Sequence, residues 1–303
     1  MSILDSNGGG AFLIDKPAGP TSADVVNQIK KKLKIKRVGH TGTLDPFATG
    51  LLVVLFGKAT KLQDIFMGGQ KEYQGNILLG TKTSTDDITG EVLESREITK
   101  QSWEEIAKSL TLTSQKFTGE ISQVPPIVSA IKVNGERSYK KARRGEDFNL
   151  PARSVFIESL DLAVSQEPEI SYRVTCSKGT YVRSLARDIG ESLETIACVK
   201  TLRREKSEPF SVTSAITLDK LLDSEQPQSY AISFRELTES FPQFEISIEE
   251  TKEIRLGKQD VLNRLPKSDC PHAILYNPAS QEAIAMLDRP QIEGSPWKIR
   301  FVL

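Results

Sequence analysis

Residues 39–61 have the sequence GHTGTLDPFATGLLVVLFGKATK, with a predicted buried strand at the centre. The run LLVVLF at 51–56 is apolar at every position, which is typical of a strand covered on both faces. Just before it, Asp45 precedes Pro46, and proline keeps the preceding residue out of the helical region. The stretch therefore predicts a carboxylate on a tight turn that leads into a central strand, although an isolated Asp-Pro pair is more often an ordinary turn.

On either side of this stretch, short apolar runs alternate with Gly, Thr and Asp turns. The patterns predict strands at 11–15 and 73–79. Helical spacing predicts helices at 21–33, with Ser22 as the N-cap, and at 181–193. Strands and helices mixed along the chain in this way indicate an α/β fold.

The composition of the 303-residue chain excludes several classes of protein. The longest uncharged run, 46–57, is too short to cross a bilayer, and the first ten residues, MSILDSNGGG, lack the apolar centre of a signal peptide. The three cysteines are widely separated and the chain has only two histidines, so neither a disulfide framework nor a metal site is predicted. We expect a cytoplasmic protein.

The net charge is zero, but the charges are unevenly distributed. Forty Lys and Arg balance forty Asp and Glu, so no overall field attracts nucleic acid or a membrane. Residues 30–37 carry six basic residues and no acid, and 131–144 carry six basic residues and one acid, whereas 219–250 carry eight acids and two basic residues. A basic run is often only a solvated surface, and the alternative is a local site for a polyanion.

Composition also indicates two boundaries. Residues 124–152 are basic, contain several prolines and glycines and lack clear periodicity, and an irregular segment of this length inside a domain is usually functional or disordered. Beyond residue 238, short strand-like runs predict a small all-β domain at 239–303.

Four side chains are candidates for a catalytic site, and local sequence leaves each of them open. A nucleophilic carboxylate at Asp45 needs a cation that keeps it ionised. Arg183 could supply that charge, although nothing in the spacing brings the two residues together. Tyr73 is either a half-buried strand aromatic or a ring that stacks on a base. His40 is likewise either a turn residue or a stacking group.

Five blocks of the sequence together resemble one known family. They are DKPAGPTS (15–22), GHTGTLDPFATGLLVVLFGKATK (39–61), EYQGNILLG with TSTDDITG (72–90), QVPPIVSAIKVNG (123–135) and CSKGTYVRSLARDIG (176–190). In this order they resemble the bacterial tRNA pseudouridine-55 synthases of the TruB type. The resemblance implies an isomerase that converts a T-loop uridine of tRNA to pseudouridine, breaking the C1′–N1 bond and rejoining the base through C5.

The resemblance also implies roles for single residues. Asp45 matches the family's nucleophile, Tyr73 the tyrosine that stacks on the flipped base and is placed to take the C5 proton, and Arg183 the arginine paired with the nucleophile. Five further residues match positions that contact substrate: Asp87 as a carboxylate that holds the base, Leu202 as an apolar wall, His40 as a group that fills space left by flipped nucleotides, and Lys16 and Lys61 as contacts to phosphate or backbone. An enzyme that extrudes a base from a folded loop requires such groups.

For the architecture, the resemblance implies an α/β (α+β) pseudouridine-synthase fold with a mixed, largely antiparallel central sheet. It assigns 1–238 to the catalytic domain, with 124–152 as an RNA-binding thumb whose Lys132 and Arg143 face phosphates. It assigns 239–303 to a small β-barrel of PUA type. The expected partner is tRNA, no membrane, metal or organic cofactor is implied, and we expect a monomer.

Some alternatives stay open at this stage. Ser84 stands where the family often has Asp, so either Asp86 or Asp87 could hold the base, and the spacing favours Asp87. A tRNA-folding chaperone could bind the tRNA elbow through the basic segments without needing Asp45. A glycosidase-like hydrolase could use Asp45 and Asp87 as its carboxylate pair, and would release free uracil.

Overall fold

A computed structural model describes residues 9–129, 131–133, 136–138, 141, 144, 146, 148–280, 282–290, 292 and 295–303. In these ranges the chain forms the α-helices α1 (Ser22–Leu33), α2 (Gln63–Gly68), α3 (Lys100–Lys116), α4 (Val182–Ser192), α5 (Leu218–Asp223), α6 (Phe234–Thr238) and α7 (Ile248–Arg255). Short 3₁₀ helices lie at Lys58–Leu62, Val212–Ser214, Pro227–Tyr230 and Asp260–Arg264.

The strands of the same ranges follow in chain order. They are β1 (Gly9–Lys16), β2 (Val38–His40), β3 (Thr49–Gly57), β4 (Lys71–Leu79), β5 (Thr81–Thr83), β6 (Val92–Ser95), β7 (Gly119–Gln123), β8 (Lys132–Val133), β9 (Glu136–Arg137), β10 (Arg153–Gln166), β11 (Glu169–Cys176), β12 (Ala197–Ser207), β13 (Phe210–Ser211), β14 (Ile216–Thr217), β15 (Ile232–Ser233), β16 (Gln243–Glu245), β17 (His272–Asn277), β18 (Glu282–Asp288) and β19 (Lys298–Val302).

Eleven of these described strands join into one mixed sheet. Its main path has the order β14-β1-β3-β12-β4-β11-β10-β7, and β2, β13 and β15 pair at its sides. The β1–β14 and β3–β12 pairs are parallel, and the other pairs are antiparallel. The predicted α/β fold with a mixed, largely antiparallel sheet is therefore confirmed.

The strand predicted at 51–56 lies within β3, near the centre of the sheet, and it is buried along its whole length. Its side chains alternate between two cores. Leu52 and Val54 pack in the main core with α1 and α4, whereas Leu51 and Val53 pack on the opposite face. A strand with one core on each side needs apolar residues at consecutive positions, which explains the unbroken apolar run.

The second face of β3 packs in a cluster with the 3₁₀ helix Lys58–Leu62, α2, α6 and a four-stranded sheet with the order β16-β17-β18-β19. Ile274 of β17 and Met286 of β18 are fully buried there against Leu13 and Leu51 of the large sheet. This small sheet lies within 239–303, the segment for which a PUA-type barrel is predicted. No helix of the described ranges is long and apolar enough to cross a membrane.

Helix α1 confirms the helix predicted at 21–33, with one correction. Thr21, not Ser22, is the N-cap: its hydroxyl accepts from the backbone N–H of Asp24, and the Asp24 carboxylate accepts from the Thr21 backbone in return. The Ser22 hydroxyl instead points into the protein, toward Leu44. Both are small hydroxyl residues at the helix start, but Asp24 lies three residues after Thr21, and this capping-box spacing is the sequence signal that favours Thr21.

Candidate active site

Asp45 lies on the loop between β2 and β3, and this loop is fixed by hydrogen bonds on both sides of the carboxylate. The buried Ser22 hydroxyl donates to the Leu44 carbonyl at 3.0 Å and accepts from the Leu44 N–H at 2.8 Å. The Asp45 carbonyl accepts from the Ala48 N–H at 3.1 Å, closing the turn predicted at Asp-Pro. The loop therefore presents the Asp45 side chain in one direction.

Arg183, in the first turn of α4, reaches this carboxylate from a position 138 residues away in sequence. Its Nη2 donates to Asp45 Oδ1 at 3.1 Å, and its Nε lies 2.9 Å from Oδ2. The same guanidinium donates to the carbonyls of Thr85 at 2.8 Å and Val128 at 3.0 Å. Since its side chain is only 5% exposed, Arg183 forms a fixed, two-point contact with Asp45.

The charge state of Asp45 results from opposing effects. Burial raises its pKa above the ordinary value, and the neighbouring Asp87 adds to this effect, while Arg183, followed by Lys16, opposes it. The side chain still keeps 31% of its surface exposed. Asp45 is thus partly desolvated, held by a cation and open on one side, which are the conditions that a carboxylate nucleophile requires.

Tyr73 lies on β4 with its ring half-buried, directly opposite Arg204 of β12. Burial raises the pKa of its phenol. Leu202 is 7% exposed and lies two residues before Arg204, on the same face of β12. Leu202 and Phe47 line a cleft of about 830 Å³ that also has charged residues on its wall.

The structure separates the two adjacent carboxylates that sequence left as alternatives. Asp87 is 3% exposed, and its Oδ2 lies 3.5 Å from Arg183 Nη1. Its Oδ1 accepts from the Thr85 hydroxyl at 2.9 Å and from the Thr89 N–H at 3.0 Å. Asp86 turns away and pairs with Arg187 at 3.1 Å. Asp87 is therefore the carboxylate that lies beside the Asp45–Arg183 pair.

Lys16 is fully buried and belongs to the support of the loop. Its ammonium donates to the carbonyls of Pro17 at 2.8 Å, Pro20 at 2.9 Å and Pro46 at 3.2 Å. Burial lowers its pKa to about 8. In this structure the ammonium is thus occupied by protein carbonyls, one of them next to Asp45.

Lys61 and His40 lie further from the carboxylate contacts. The exposed Lys61 donates to the Val302 carbonyl and lies 5.4 Å from the centre of the Phe301 ring. His40, half-buried at the end of β2, accepts from the Gly42 N–H at 3.3 Å. Burial lowers the pKa of His40, so its imidazole is neutral at neutral pH.

The predicted thumb, 124–152, is described only in part. Arg143 lies outside the described residues, and Lys132 is placed only as a backbone position in β8. Arg144 pairs with Glu136 at 2.7 Å and with Glu146 at 2.6 Å, so acids of the same segment offset part of its charge. The start of the segment is held by α4, because the Ser184 hydroxyl and Arg187 Nη2 both donate to the Val124 carbonyl.

Arg204 is the site residue that sequence reasoning missed. Its guanidinium is almost completely buried, and Nε donates to the Leu51 carbonyl at 2.7 Å while Nη2 donates to the Gly42 carbonyl at 3.1 Å. The sequence could have indicated Arg204, because alternate residues of a strand lie on the same face. Arg204 therefore shares a face with Leu202, which the resemblance assigns to the pocket. Among the described residues, no group of three or more His, Cys, Asp or Glu is arranged to hold a metal ion.

Two family models match consecutive parts of the chain. Residues 30–182 match the N-terminal domain of the TruB family pseudouridylate synthases, and 183–236 match the tRNA pseudouridylate synthase B C-terminal domain. The chain is 38% identical over 280 residues to a tRNA pseudouridine synthase B of Oenococcus oeni, covering 90% of this chain and 92% of the relative. It is 40% identical to one of Aquifex aeolicus, covering 82% and 86%.

Solved structures show the same fold at lower sequence identity. The crystal structure of a Cbf5-Nop10-Gar1 complex contains a chain with a TM-score of 0.68 and 24% identity, covering 98% of this chain and 85% of that one. A chain from the archaeal box H/ACA sRNP Nop10-Cbf5 complex has a TM-score of 0.66 and 22% identity, covering 99% and 87%.

Proposed function

The chain belongs to the TruB family of pseudouridine synthases, and from this premise we propose that it converts the uridine at position 55 in the T-loop of tRNA to pseudouridine, with Asp45 as the nucleophile. The relatives named tRNA pseudouridine synthase B support tRNA as the substrate. The observation that carries the assignment of Asp45 is its two-point contact with the buried Arg183, at 2.9 and 3.1 Å. This contact holds the partly buried carboxylate in one orientation, and its positive charge favours the ionised form against the effect of burial.

In the proposed reaction the uridine is flipped out of the T-loop and enters the site. The Asp45 carboxylate adds either to C6 of the base or to C1′ of the ribose, and both routes need the same ionised, oriented oxygen. On the C1′ route the N1–C1′ bond breaks as Asp45 bonds to C1′, the base turns, and the Asp45–C1′ bond breaks as the C5–C1′ bond forms. On the C6 route the N1–C1′ bond breaks, the base turns and the C5–C1′ bond forms, and the Asp45–C6 bond breaks when the C5–C6 double bond is restored. Tyr73 takes the C5 proton, and N1 ends with a proton, so the product is an isomer of the substrate and no external reagent is consumed.

Other residues are proposed to hold the RNA. Asp87 and Leu202 border the base, His40 fills space vacated by flipped nucleotides, and Lys16 and Lys61 support the loop or the RNA backbone. Their positions around Asp45 support these roles for Asp87 and Lys16 most directly. In the thumb, 124–152, Lys132 and Arg143 are proposed to face phosphates.

We further propose that residues 1–238 form the catalytic domain and 239–303 a domain of PUA type. The supporting feature is the separate four-stranded sheet from β16 to β19. A cluster of its own, with Ile246, Leu275 and Trp297 among its buried members, gives this segment an apolar centre distinct from the core around β3.

The test is tritium release from a tRNA transcript labelled at C5 of uridine. We expect about one equivalent per tRNA from the wild-type protein, and none from Asp45→Asn. Asp64→Asn, which removes an exposed carboxylate on α2, is the matched control and should retain release. Absence of release from folded wild-type protein would refute the proposal.

The position is tested separately with a transcript in which the T-loop uridine is replaced by cytidine. We expect this substitution to abolish release. Carbodiimide mapping of the original uridine-containing transcript, after reaction with the protein, should place the only pseudouridine at position 55. Release that survives the replacement would assign the activity to another uridine.

The same experiments separate the alternatives. A hydrolase would produce free uracil, and its acid would need a carboxyl able to meet the leaving group. Asp87 is 3% exposed and its oxygens already meet Thr85, Thr89 and Arg183, which does not suit that role. A chaperone would refold tRNA equally well with Asp45→Asn. Wild-type refolding of tRNA by that variant, with no tritium release from the wild-type protein, would therefore favour the chaperone.

A further inference from the structure

Arg204 is the largest fully buried side chain among the described residues, although it carries a charge. A guanidinium stays protonated in proteins, and its burial is costly unless other groups offset the lost hydration. Here the groups that receive its hydrogen bonds at 2.7 and 3.1 Å are the backbone carbonyls of Leu51 and Gly42. A cation solvated by neutral carbonyls keeps a net positive field, which acts on any group nearby.

The residue across from Arg204 in the sheet is Tyr73. Arg204 and Tyr73 are directly opposite each other in the antiparallel β12–β4 pair, where Cβ atoms lie about 5 Å apart on the same face. Burial raises the pKa of Tyr73, and the positive charge of Arg204 opposes this effect. The buried cation therefore offsets part of the cost that burial imposes on the phenolate form of Tyr73.

The same guanidinium also holds the loop that carries Asp45. Gly42 lies three residues before Asp45, and Leu51 lies in β3, directly after Gly50. At Gly50, which has φ of 97°, an added Cβ would lie 2.3 Å from the Arg204 carbonyl, so β3 and β12 approach closely at this point. Arg204 thus bonds to the Asp45 loop at Gly42 and to β3 at Leu51, and its own strand, β12, pairs with the strand of Tyr73.

We propose that Arg204 is a positioning residue for the isomerisation, which holds the Tyr73 phenol in register with the Asp45 loop and stabilises the phenolate that removes the C5 proton. This inference rests on the proposed function. It goes further by assigning the residue that makes the tyrosine a competent base.

The proton transfer balances as follows. The phenol first loses its proton to solvent, and Arg204 stabilises the oxygen anion. After the C5–C1′ bond has formed, the C5–H bond breaks and the phenolate oxygen takes the proton. The electron pair of that bond restores the C5–C6 double bond and, on the C6 route, expels Asp45. N1 takes a proton from solvent, which replaces the proton that the phenol released.

The charged and titratable groups that face Tyr73 come from three elements. They are Arg204 of β12, Cys176 and Tyr172 of β11, and Asp45 of the loop. Cys176 and Asp45 raise the pKa of Tyr73, and Arg204 lowers it. Loss of Arg204 should therefore shift the Tyr73 titration to higher pH, by about one pH unit or more.

The first measurement is the titration of Tyr73 by phenolate absorbance, taken as the difference between each protein and the same protein with Tyr73→Phe. We expect Arg204→Gln to titrate at higher pH than the wild-type protein. The matched control is Arg203→Gln, which removes the preceding arginine, a partner of Asp15 at 2.8 Å. It should leave the Tyr73 titration unchanged.

The second measurement is single-turnover tritium release with excess protein. Arg204→Gln should lower the rate about a hundredfold, the lower range of what a positioned base contributes, while tRNA affinity changes less than about twofold, since the side chain is buried and cannot touch RNA. Deuterium at C5 should slow this variant more than it slows the wild-type protein. A merely structural role would lower the rate without raising the isotope effect.

Arg204→Lys keeps the charge but has a shorter reach and one cationic nitrogen. It should recover at least about tenfold of the rate lost in Arg204→Gln. If Arg204→Gln does not fold, the same measurements are made on Arg204→Lys. We then expect a rate below that of the wild-type protein and a larger isotope effect.

The outcomes distinguish this inference from the proposed function. If wild-type protein releases no tritium, the proposed function fails. If wild-type protein releases tritium but the Arg204 variants that fold keep the wild-type titration, rate and isotope effect, Arg204 is structural and this inference is overturned. Full release by Tyr73→Phe would also overturn it, while leaving Asp45 as the nucleophile.

Discussion

Arg183 serves several parts of the site with one side chain. Besides Asp45 it binds the carbonyls of Thr85 and Val128, and it lies near Asp87. Because these contacts come from three separate segments of the chain, the guanidinium cannot move without changing the surroundings of Asp45. Its charge is the largest effect that lowers the pKa of Asp45 against burial.

Replacement of Arg183 by Gln should therefore raise the pKa of Asp45 further, because the main opposing charge is lost. Only the ionised carboxylate is nucleophilic, so activity falls as pH drops through this pKa. We expect the acid side of the rate profile to move to higher pH, and the plateau to fall about a hundredfold. Single-turnover tritium release from acidic to neutral pH measures both.

Arg187→Gln is the control for that profile, because it removes an arginine of the same helix that pairs with Asp86 instead of Asp45. It should leave the pH of half-maximal rate unchanged. An equal shift in both variants would mean that the general charge of α4, and not the contact at Asp45, sets the titration.

At the scale of secondary structure, the first residues of α1 support the loop that carries Asp45. Thr21 caps the helix, whereas the buried Ser22 hydroxyl bonds both backbone groups of Leu44. Two adjacent hydroxyls thus stabilise different elements, one the helix and the other the loop that precedes Asp45.

This division predicts different effects of two similar substitutions. Thr21→Ala and Ser22→Ala should each lower the free energy of unfolding by about 1 kcal/mol. Only Ser22→Ala should also slow tritium release, by about tenfold or more, because a shift of ~1 Å at a reacting group is enough for such a loss. Urea denaturation measures the change in stability, and single-turnover tritium release measures the change in rate. Equal rates in both variants would contradict the proposed support of the loop by Ser22.

At the scale of the whole molecule, the two sheets share a buried layer. Ile274 and Met286 of the small sheet pack on Ala11 and Leu51 of the large sheet, and all four are fully buried. Loss of the small sheet would remove Ile274 and Met286 from this shared cluster and expose part of it. We therefore expect both sheets to unfold together.

The two tryptophans allow this to be measured, since Trp103 lies on α3 and Trp297 packs in the small sheet's own cluster. In single-tryptophan variants both fluorescence signals should give one denaturation midpoint. Met286→Ala should lower the free energy of unfolding by ~2–5 kcal/mol at both probes, whereas Val164→Ala, at a half-exposed position, should change it by less than about 0.5 kcal/mol. Earlier unfolding at Trp297 alone would contradict a shared unit.

Features that depend on neighbours in the chain could be predicted from the sequence. The buried strand at 51–56, the helices at 21–33 and 181–193 and the mixed α/β class all follow from periodicity and turn residues, which act locally. The family resemblance then supplied the candidates Asp45, Tyr73 and Arg183, because its motifs are themselves continuous stretches. The cap of α1 was the local detail that these patterns assigned to the wrong hydroxyl.

Only the tertiary structure could join Asp45 to Arg183 across 138 positions, set Asp87 beside that pair, and bury Arg204 opposite Tyr73. Each of these contacts depends on strand register and on how α4 packs on the sheet, and no local pattern encodes either. A hydropathy profile also gives no indication that Arg204 is buried, because the carbonyls that accept its hydrogen bonds belong to distant parts of the chain.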